Sequence, residues 1–128
     1  MNFQEDVMYT ESHEWIKFID ETTVLIGITD FAQHELGDLV FVNLPQIDDA
    51  LTVGKTFADV ESVKAVSDVF SPVSGIVCEV NQDLLDAPQM INEAPYLAWL
   101  IKVSNISEQK KMLNLEQYRE FVAQESEK

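Results

Sequence analysis

Cysteine occurs once in this chain, at Cys78, which rules out an intramolecular disulfide and a cysteine-based zinc site. Its expected role is that of a small buried hydrophobe. Basic residues are scarce: 8 Lys and Arg stand against 23 Asp and Glu, a formal net charge of −15. A polyanion repels phosphate backbones and anionic lipid, so nucleic acid and membrane surfaces are poor partners, and proteins with basic docking faces are favoured. The same self-repulsion favours a monomer. The longest apolar run, Tyr96 to Ile101, is six residues, far short of the about 20 that a membrane helix needs. Met1 to Asp6 is polar and acidic, unlike a secretion signal. The expected location is therefore a prokaryotic cytoplasm, or the mitochondrial matrix for a processed eukaryotic chain. Only two histidines occur, His13 and His34, and Gly27, Gly37, Gly54 and Gly75 stand far apart. Neither a helical zinc-protease pair nor a phosphate-cradling loop can be drawn from them. No metal site is expected, and conventional catalytic equipment is too thin to suggest an enzyme.

A length of 128 residues with 46% hydrophobic and 24% charged residues suits one domain with a single modest core. Val24-Leu25-Ile26-Gly27-Ile28 reads as a buried strand, with Glu14 to Ile19 as its hairpin partner across Asp20-Glu21-Thr22. Asp30 reads as an N-cap, with Gln33 three residues on and Gly37 as the stop of a one- or two-turn helix. Leu39 to Val42 returns to strand until Pro45, and Lys55 to Phe70 reads as two strands meeting near Val63-Lys64-Ala65. Pro72 and Gly75 punctuate a second hairpin, after which Ile76, Cys78 and Val80 share one strand face. Tyr96 to Val103 is the last expected strand, giving a core of about residues 9–104. Ser107 and Asn114 then look like caps of two C-terminal helices over about 107–125, the second with Gln117 at the capping-box position. Asn105-Ile106-Ser107 matches a glycosylation sequon, which carries no meaning without a secretion signal. The fold class is mainly β with short helices, a sandwich or small barrel.

One lysine stands out. Lys64 lies at the tip of the hairpin D-V-E-S-V-K-A-V-S-D, Asp59 to Asp68, between Val63 and Ala65. A lysine there is exposed on a rigid scaffold and open to a modifying enzyme, although an ordinary surface lysine would look the same. Its amine can form an amide with a carboxylic-acid cofactor, giving a tethered arm with an effective concentration of roughly millimolar at any site within reach.

Val60-Glu61-Ser62-Val63-Lys64-Ala65 followed by Ser67-Asp68 and Ser71-Pro72-Val73-Ser74-Gly75 resembles the lipoyl-attachment hairpin of the glycine cleavage system H protein family. Tyr9-Thr10 with Ser12-His13-Glu14-Trp15 resembles that family's opening motif. Gly27-Ile28-Thr29-Asp30, Ala32-Gln33 and Leu36 to Pro45 resemble its central block. Ile91-Asn92-Glu93, Pro95-Tyr96 and Trp99 to Lys102 resemble its late block. The resemblance implies a barrel-sandwich hybrid of two antiparallel sheets, and lipoate in amide linkage to Lys64. It implies a non-catalytic carrier visiting glycine decarboxylase, which loads an aminomethyl group, aminomethyltransferase, which passes the carbon on, and dihydrolipoyl dehydrogenase, which reoxidises the dithiol. Lipoylating enzymes would be further partners. Biotin carriers share the fold but usually flank their lysine with methionines, whereas Val63 and Ala65 stand here. Carried over by position, Glu61, Ser62, Val63 and Ala65 form the recognition hairpin, with Glu61 helping to dock the lipoylating enzyme. Ser12, Glu14 and Asp68 line a cleft that holds the loaded arm, where carboxylates would attract its cationic amine.

Two departures mark the chain. Pro95-Tyr96-Leu97-Ala98-Trp99 is one residue shorter than the family's usual run and lacks its glycines, so this loop must take another shape. Phe31 stands where the family usually has histidine. They leave open an alternative: an H-like lipoyl carrier outside glycine cleavage, in lipoate relay or a redox or stress role. A third reading is a structural domain that is never lipoylated.

Overall fold

The computed structural model describes residues 1–126. Short runs of branched residues build its strands. β1 (Met8–Tyr9), β2 (Glu14–Asp20) and β3 (Thr23–Ile28) follow one another as an antiparallel meander. The Asp20 carboxylate closes the β2–β3 turn by accepting from the Thr22 N–H at 2.9 Å. α1 (Asp30–Leu36) comes next, then β4 (Leu39–Asn43), β5 (Ala50–Leu51), β6 (Thr56–Ser62), β7 (Val66–Phe70) and β8 (Val73–Val80). α2 (Asp83–Asp86) and α3 (Met90–Glu93) lead to β9 (Ile101–Gln109), and α4 (Leu115–Ser126) closes the described chain. The strands form two antiparallel sheets, one ordered β1-β2-β3-β9-β8-β5 and the other β4-β6-β7. This is the mainly β fold with short helices that the sequence implies.

Between the sheets lies the larger core, with Ile16, Val24, Ile26, Val60, Val69, Val77, Leu100 and Val103 among its buried members. A second cluster, built on Tyr9, Trp15, Phe31 and Tyr118, fastens α4 to the outside of the larger sheet. Tyr9 and Tyr118 stack with ring centroids 4.3 Å apart. Gly27 faces Trp15 across the β2–β3 ladder, and a Cβ at Gly27 would sit 2.5 Å from the indole ring. Trp15 fills that space and donates its Nε1–H to Pro95 O at 3.0 Å.

Several local expectations shift. The N-cap of α1 is Thr29, whose hydroxyl accepts from the Ala32 N–H at 3.2 Å; Asp30 is the first helical residue and accepts from Gln33 Nε2 instead. Gly75 lies inside β8, where a Cβ would come within 2.7 Å of Ser104 O, so close strand approach rather than a turn explains it. The register shifts between Val77 and Glu79, so Val80 packs against the core opposite Ile101 and does not share the face of Ile76 and Cys78. That face is half-buried, opposite the inward-facing Val73, Gly75 and Val77. Cys78 is accordingly half-buried, its thiol directed at Lys102 O at 3.5 Å. The last strand begins at Ile101 and runs to Gln109, because β8 supplies partners as far as Val73↔Gln109. Ser107 is thus a strand residue, and one C-terminal helix forms where two were expected. That helix opens with the expected reciprocal box: the Gln117 N–H donates to Asn114 Oδ1 and the Asn114 N–H to Gln117 Oε1, both at 2.9 Å. α2 and α3 were not anticipated, being single turns too short to show periodicity.

Two predictions follow from this packing. Gly27→Ala forces the Trp15 ring aside and should lower stability by about 1–3 kcal/mol in urea unfolding. The chain's three tyrosines, Tyr9, Tyr96 and Tyr118, all have hydroxyls pushed above the ordinary value by burial. Each therefore holds its proton more tightly folded than unfolded. Their contribution to stability should be intact below about pH 10 and decline as pH rises beyond it. Tyrosinate absorbance should stay flat through that value and appear only as circular dichroism is lost, with Tyr118→Phe making the alkaline decline shallower.

Candidate functional site: a lysine-tipped hairpin and a buried carboxylate

The β6–β7 hairpin turns over Ser62 to Ala65. Backbone and side chain cooperate: the Ser62 N–H donates to Ala65 O at 2.8 Å, and Ser62 Oγ accepts from the Lys64 and Ala65 N–H groups at 3.3 and 3.0 Å. Ser62 is buried, so its hydroxyl pins the turn from beneath while Val63, Lys64 and Ala65 stand exposed. Val63 is 76% exposed and Val66 63%, unusual for valine and open to a partner surface. Among the described residues Lys64 forms no ion pair, whereas Lys17, Lys102 and Arg119 each meet a carboxylate. Glu61 is exposed on β6, in register with Phe41 on one side and Val66 on the other.

The tip also rests on a ledge between α1 and β4. The Val63 N–H donates to Asp38 O at 3.3 Å, and Lys64 Cε lies 3.6 Å from where a Cβ on Gly37 would be. Gly37 has φ 84°, a conformation that favours glycine. The reading from sequence missed this ledge, for no local pattern relates Gly37 to Lys64.

Ser12 and Glu14 come together at the other end of the site. His13 adopts φ 71°, turning the chain so that the Ser12 hydroxyl reaches back to Glu14 Oε1 at 2.6 Å. Thr10 Oγ1 donates to the same oxygen at 2.7 Å. Glu14 is therefore no surface residue: it is 1% exposed, and these donors offset the cost of burying its carboxyl. Its Oε2 receives only a long 3.5 Å contact from the Phe70 N–H on β7. Asp68, two residues earlier on that strand, is exposed and in register with Asp59. Ser12 and Glu14 thus touch, Asp68 stands apart from them, and about 13 Å of strand separates Val66 from Phe70.

His13 is held away from any metal role. Its Nδ1 pairs with the Tyr118 hydroxyl at 2.8 Å and its Nε2 with Glu125 at 2.9 Å, contacts that also hold the unusual φ in place. Phe31 is buried with its ring 4.6 Å from the His13 ring. In the shortened loop, the Leu97 and Ala98 N–H groups both donate to Ala94 O, at 3.0 and 2.9 Å. None of its residues has a positive φ, and Leu97 is left 79% exposed.

Comparison with known proteins points to one family. The profile of the Glycine cleavage H-protein family matches residues 7–125. A glycine cleavage system H protein of Lachnoclostridium phytofermentans is 56% identical over 99% of this chain and 100% of its own. A probable glycine cleavage system H protein of Pyrococcus abyssi is 48% identical over 93% of this chain and 91% of its own. The crystal structure of a glycine cleavage system H protein from Mycobacterium marinum superposes with a TM-score of 0.86 at 36% identity, covering 97% of this chain and 99% of that one.

Removing the buried carboxyl should strand the two hydroxyls. Glu14→Ala is expected to cost about 2–3 kcal/mol in urea unfolding with an unchanged m-value. Glu14→Gln, which keeps an oxygen for both donors, should cost less.

Proposed function

This chain belongs to the glycine cleavage H-protein family, and on that premise we propose that Lys64 is its lipoyl-attachment residue. The protein is a lipoyl carrier of glycine cleavage. The observation that supports Lys64 is its exposed amine, free of ion pairs among the described residues, on a turn whose backbone is held by the buried Ser62. Lipoate in amide linkage there would supply a dithiol arm able to carry an aminomethyl group between active sites. The protein itself is non-catalytic and works with the other glycine cleavage components: glycine decarboxylase, aminomethyltransferase and dihydrolipoyl dehydrogenase. No described helix is long and apolar enough to cross a membrane.

The rest of the site supports a resting track for the arm. Lys64 lies in the turn before β7, Asp68 on β7, and the Glu14 carboxyl of β2 meets the Phe70 N–H at the end of β7. The roughly 13 Å of strand between Val66 and Phe70 is comparable to the reach of a lysine stem extended by an octanoyl-length acid. Asp68, exposed, would attract a cationic amine on the arm, whereas Glu14 is buried at the far end and could accept from it through Oε2 only if the cover over it opened. Ser12 holds Glu14 in place. Glu61, flanked by exposed Phe41 and Val66, would meet a basic residue of the lipoylating enzyme. A carrier role outside glycine cleavage is not favoured, given the 56% identity to a glycine cleavage system H protein over nearly the whole chain.

Intact mass after growth with lipoate, with the modified peptide mapped, tests the attachment. One lipoyl group on Lys64, absent from Lys64→Ala, is the expected result. The lipoylated protein should then support glycine decarboxylase in exchanging labelled bicarbonate into glycine, and the unmodified protein should not. An unmodified Lys64 in cells whose other lipoyl domains are filled would sink the proposal.

A further inference from the structure

Asn92 lies on α3, remote in sequence from the lysine hairpin, yet its side chain holds the ledge on which the tip rests. Its Nδ2 donates to Gly37 O and to Gln33 Oε1, both at 2.9 Å. Its Oδ1 accepts from the Leu39 N–H at 2.9 Å. One amide therefore bridges the last turn of α1 and the first residue of β4, spanning Gly37 and Asp38. Those two residues carry the hairpin: Asp38 O accepts from the Val63 N–H, and Gly37 lies against the Lys64 stem.

We propose that Asn92 is a positioning residue for Lys64, fixing the Gly37-Asp38 ledge and through it the direction in which the lysine amine is presented for acylation. The proposal rests on the reading of Lys64 as the lipoylated residue. In that reaction the neutral amine attacks the carbonyl of a lipoyl adenylate, the amide C–N bond forms, AMP leaves with the C–O bonding pair, and the amine proton passes to solvent. Attack requires the amine in line with the carbonyl, and a misdirected stem reaches that geometry less often. The turn has its own supports in Ser62 and the β6–β7 ladder, so it stays folded when the ledge loosens. Gly37, at φ 84°, keeps the bond from its own N–H to Gln33 O at 3.0 Å, but its carbonyl loses the donor that ties it to α3 once the Asn92 amide is gone. Leu39 would lose the acceptor of its N–H. The outer surface that an enzyme would touch, Glu61, Val63 and Val66, is unchanged by any substitution at Asn92. Presentation and docking are thereby separable.

The test compares wild type with Asn92→Ala and with Asn92→Asp, which keeps the acceptor for Leu39 but replaces the donor facing Gly37 O with an oxygen. Each is acylated in vitro with lipoate, ATP and a lipoate–protein ligase, and thermal unfolding and amide exchange at Leu39 and Val63 are followed in parallel. The expected result is faster exchange at Val63 and a kcat lower by about tenfold, with KM for the carrier within about twofold. Should one variant fail to fold, the other carries the comparison. Wild-type kcat in a folded variant whose Val63 exchange has risen would overturn the proposal, as would a loss confined to KM. Wild-type protein that is not acylated at Lys64 would instead remove the lipoyl-lysine reading on which the proposal stands.

Discussion

The hydroxyl of Thr29 is engaged on two sides within a buried setting: it accepts from the Ala32 N–H at 3.2 Å and pairs with the Tyr118 hydroxyl at 2.7 Å. Its backbone N–H donates to His13 O at 3.1 Å. Through these three contacts one residue joins the end of β3, the start of α1, the turn that carries Ser12 and Glu14, and the C-terminal helix. The site depends on that junction at both ends. α1 leads to Gly37 and the ledge under Lys64, while His13 sets the turn that brings the Ser12 hydroxyl onto Glu14. A buried hydroxyl without partners would cost free energy here, so the same contacts that satisfy Thr29 also hold the two halves of the site in register.

Charge gives the site its contrast. With a net charge of −15, carboxylates far outnumber cations, and Lys17, Lys102 and Arg119 each meet one. Lys64 is set apart by geometry: its neighbours at the tip are Val63 and Ala65, and the turn directs it outward. An acidic body with apolar Val63 and Val66 beside a lone amine is suited to meeting several enzymes in turn. Long-range attraction would speed encounter with a basic partner face, and a small apolar contact would keep such a complex short-lived.

Much of the fold was legible because it is written in local pattern. The branched run Val24 to Ile28, the hairpin tip around Lys64, the stop at Gly37 and the Asn114–Gln117 box all depend on residues within a few positions of each other. Errors fell where long-range pairing overrides local preference. Ser107 has the look of a helix cap, but β8 offers its edge as far as Gln109 and hydrogen bonding to it continues the strand. Gly75 has the look of a turn residue, but the approach of Ser104 requires the absence of a side chain within the strand. Asp30 and Thr29 are both competent caps, and the Tyr118 hydroxyl, 89 residues away, favours Thr29.

For the site, four motif blocks in order, from Tyr9-Thr10 through the Lys64 hairpin to Trp99–Lys102, were enough to suggest the family and to single out the lysine, since each block is contiguous. Burial of Glu14 was not legible, because although its hydroxyl donors Thr10 and Ser12 are local, the Phe70 N–H meets it only after β2 and β7 are brought together. Nor was the part played by Asn92, whose partners Gln33, Gly37 and Leu39 lie more than fifty positions away. Sequence alone determined most of the strands, the acidic character and which lysine is the candidate for attachment, since these follow from residue type and near-neighbour spacing. Tertiary structure alone decided which polar groups are buried and what supports the lysine, because a hydrogen bond across a fold depends on where the backbone carries its partners.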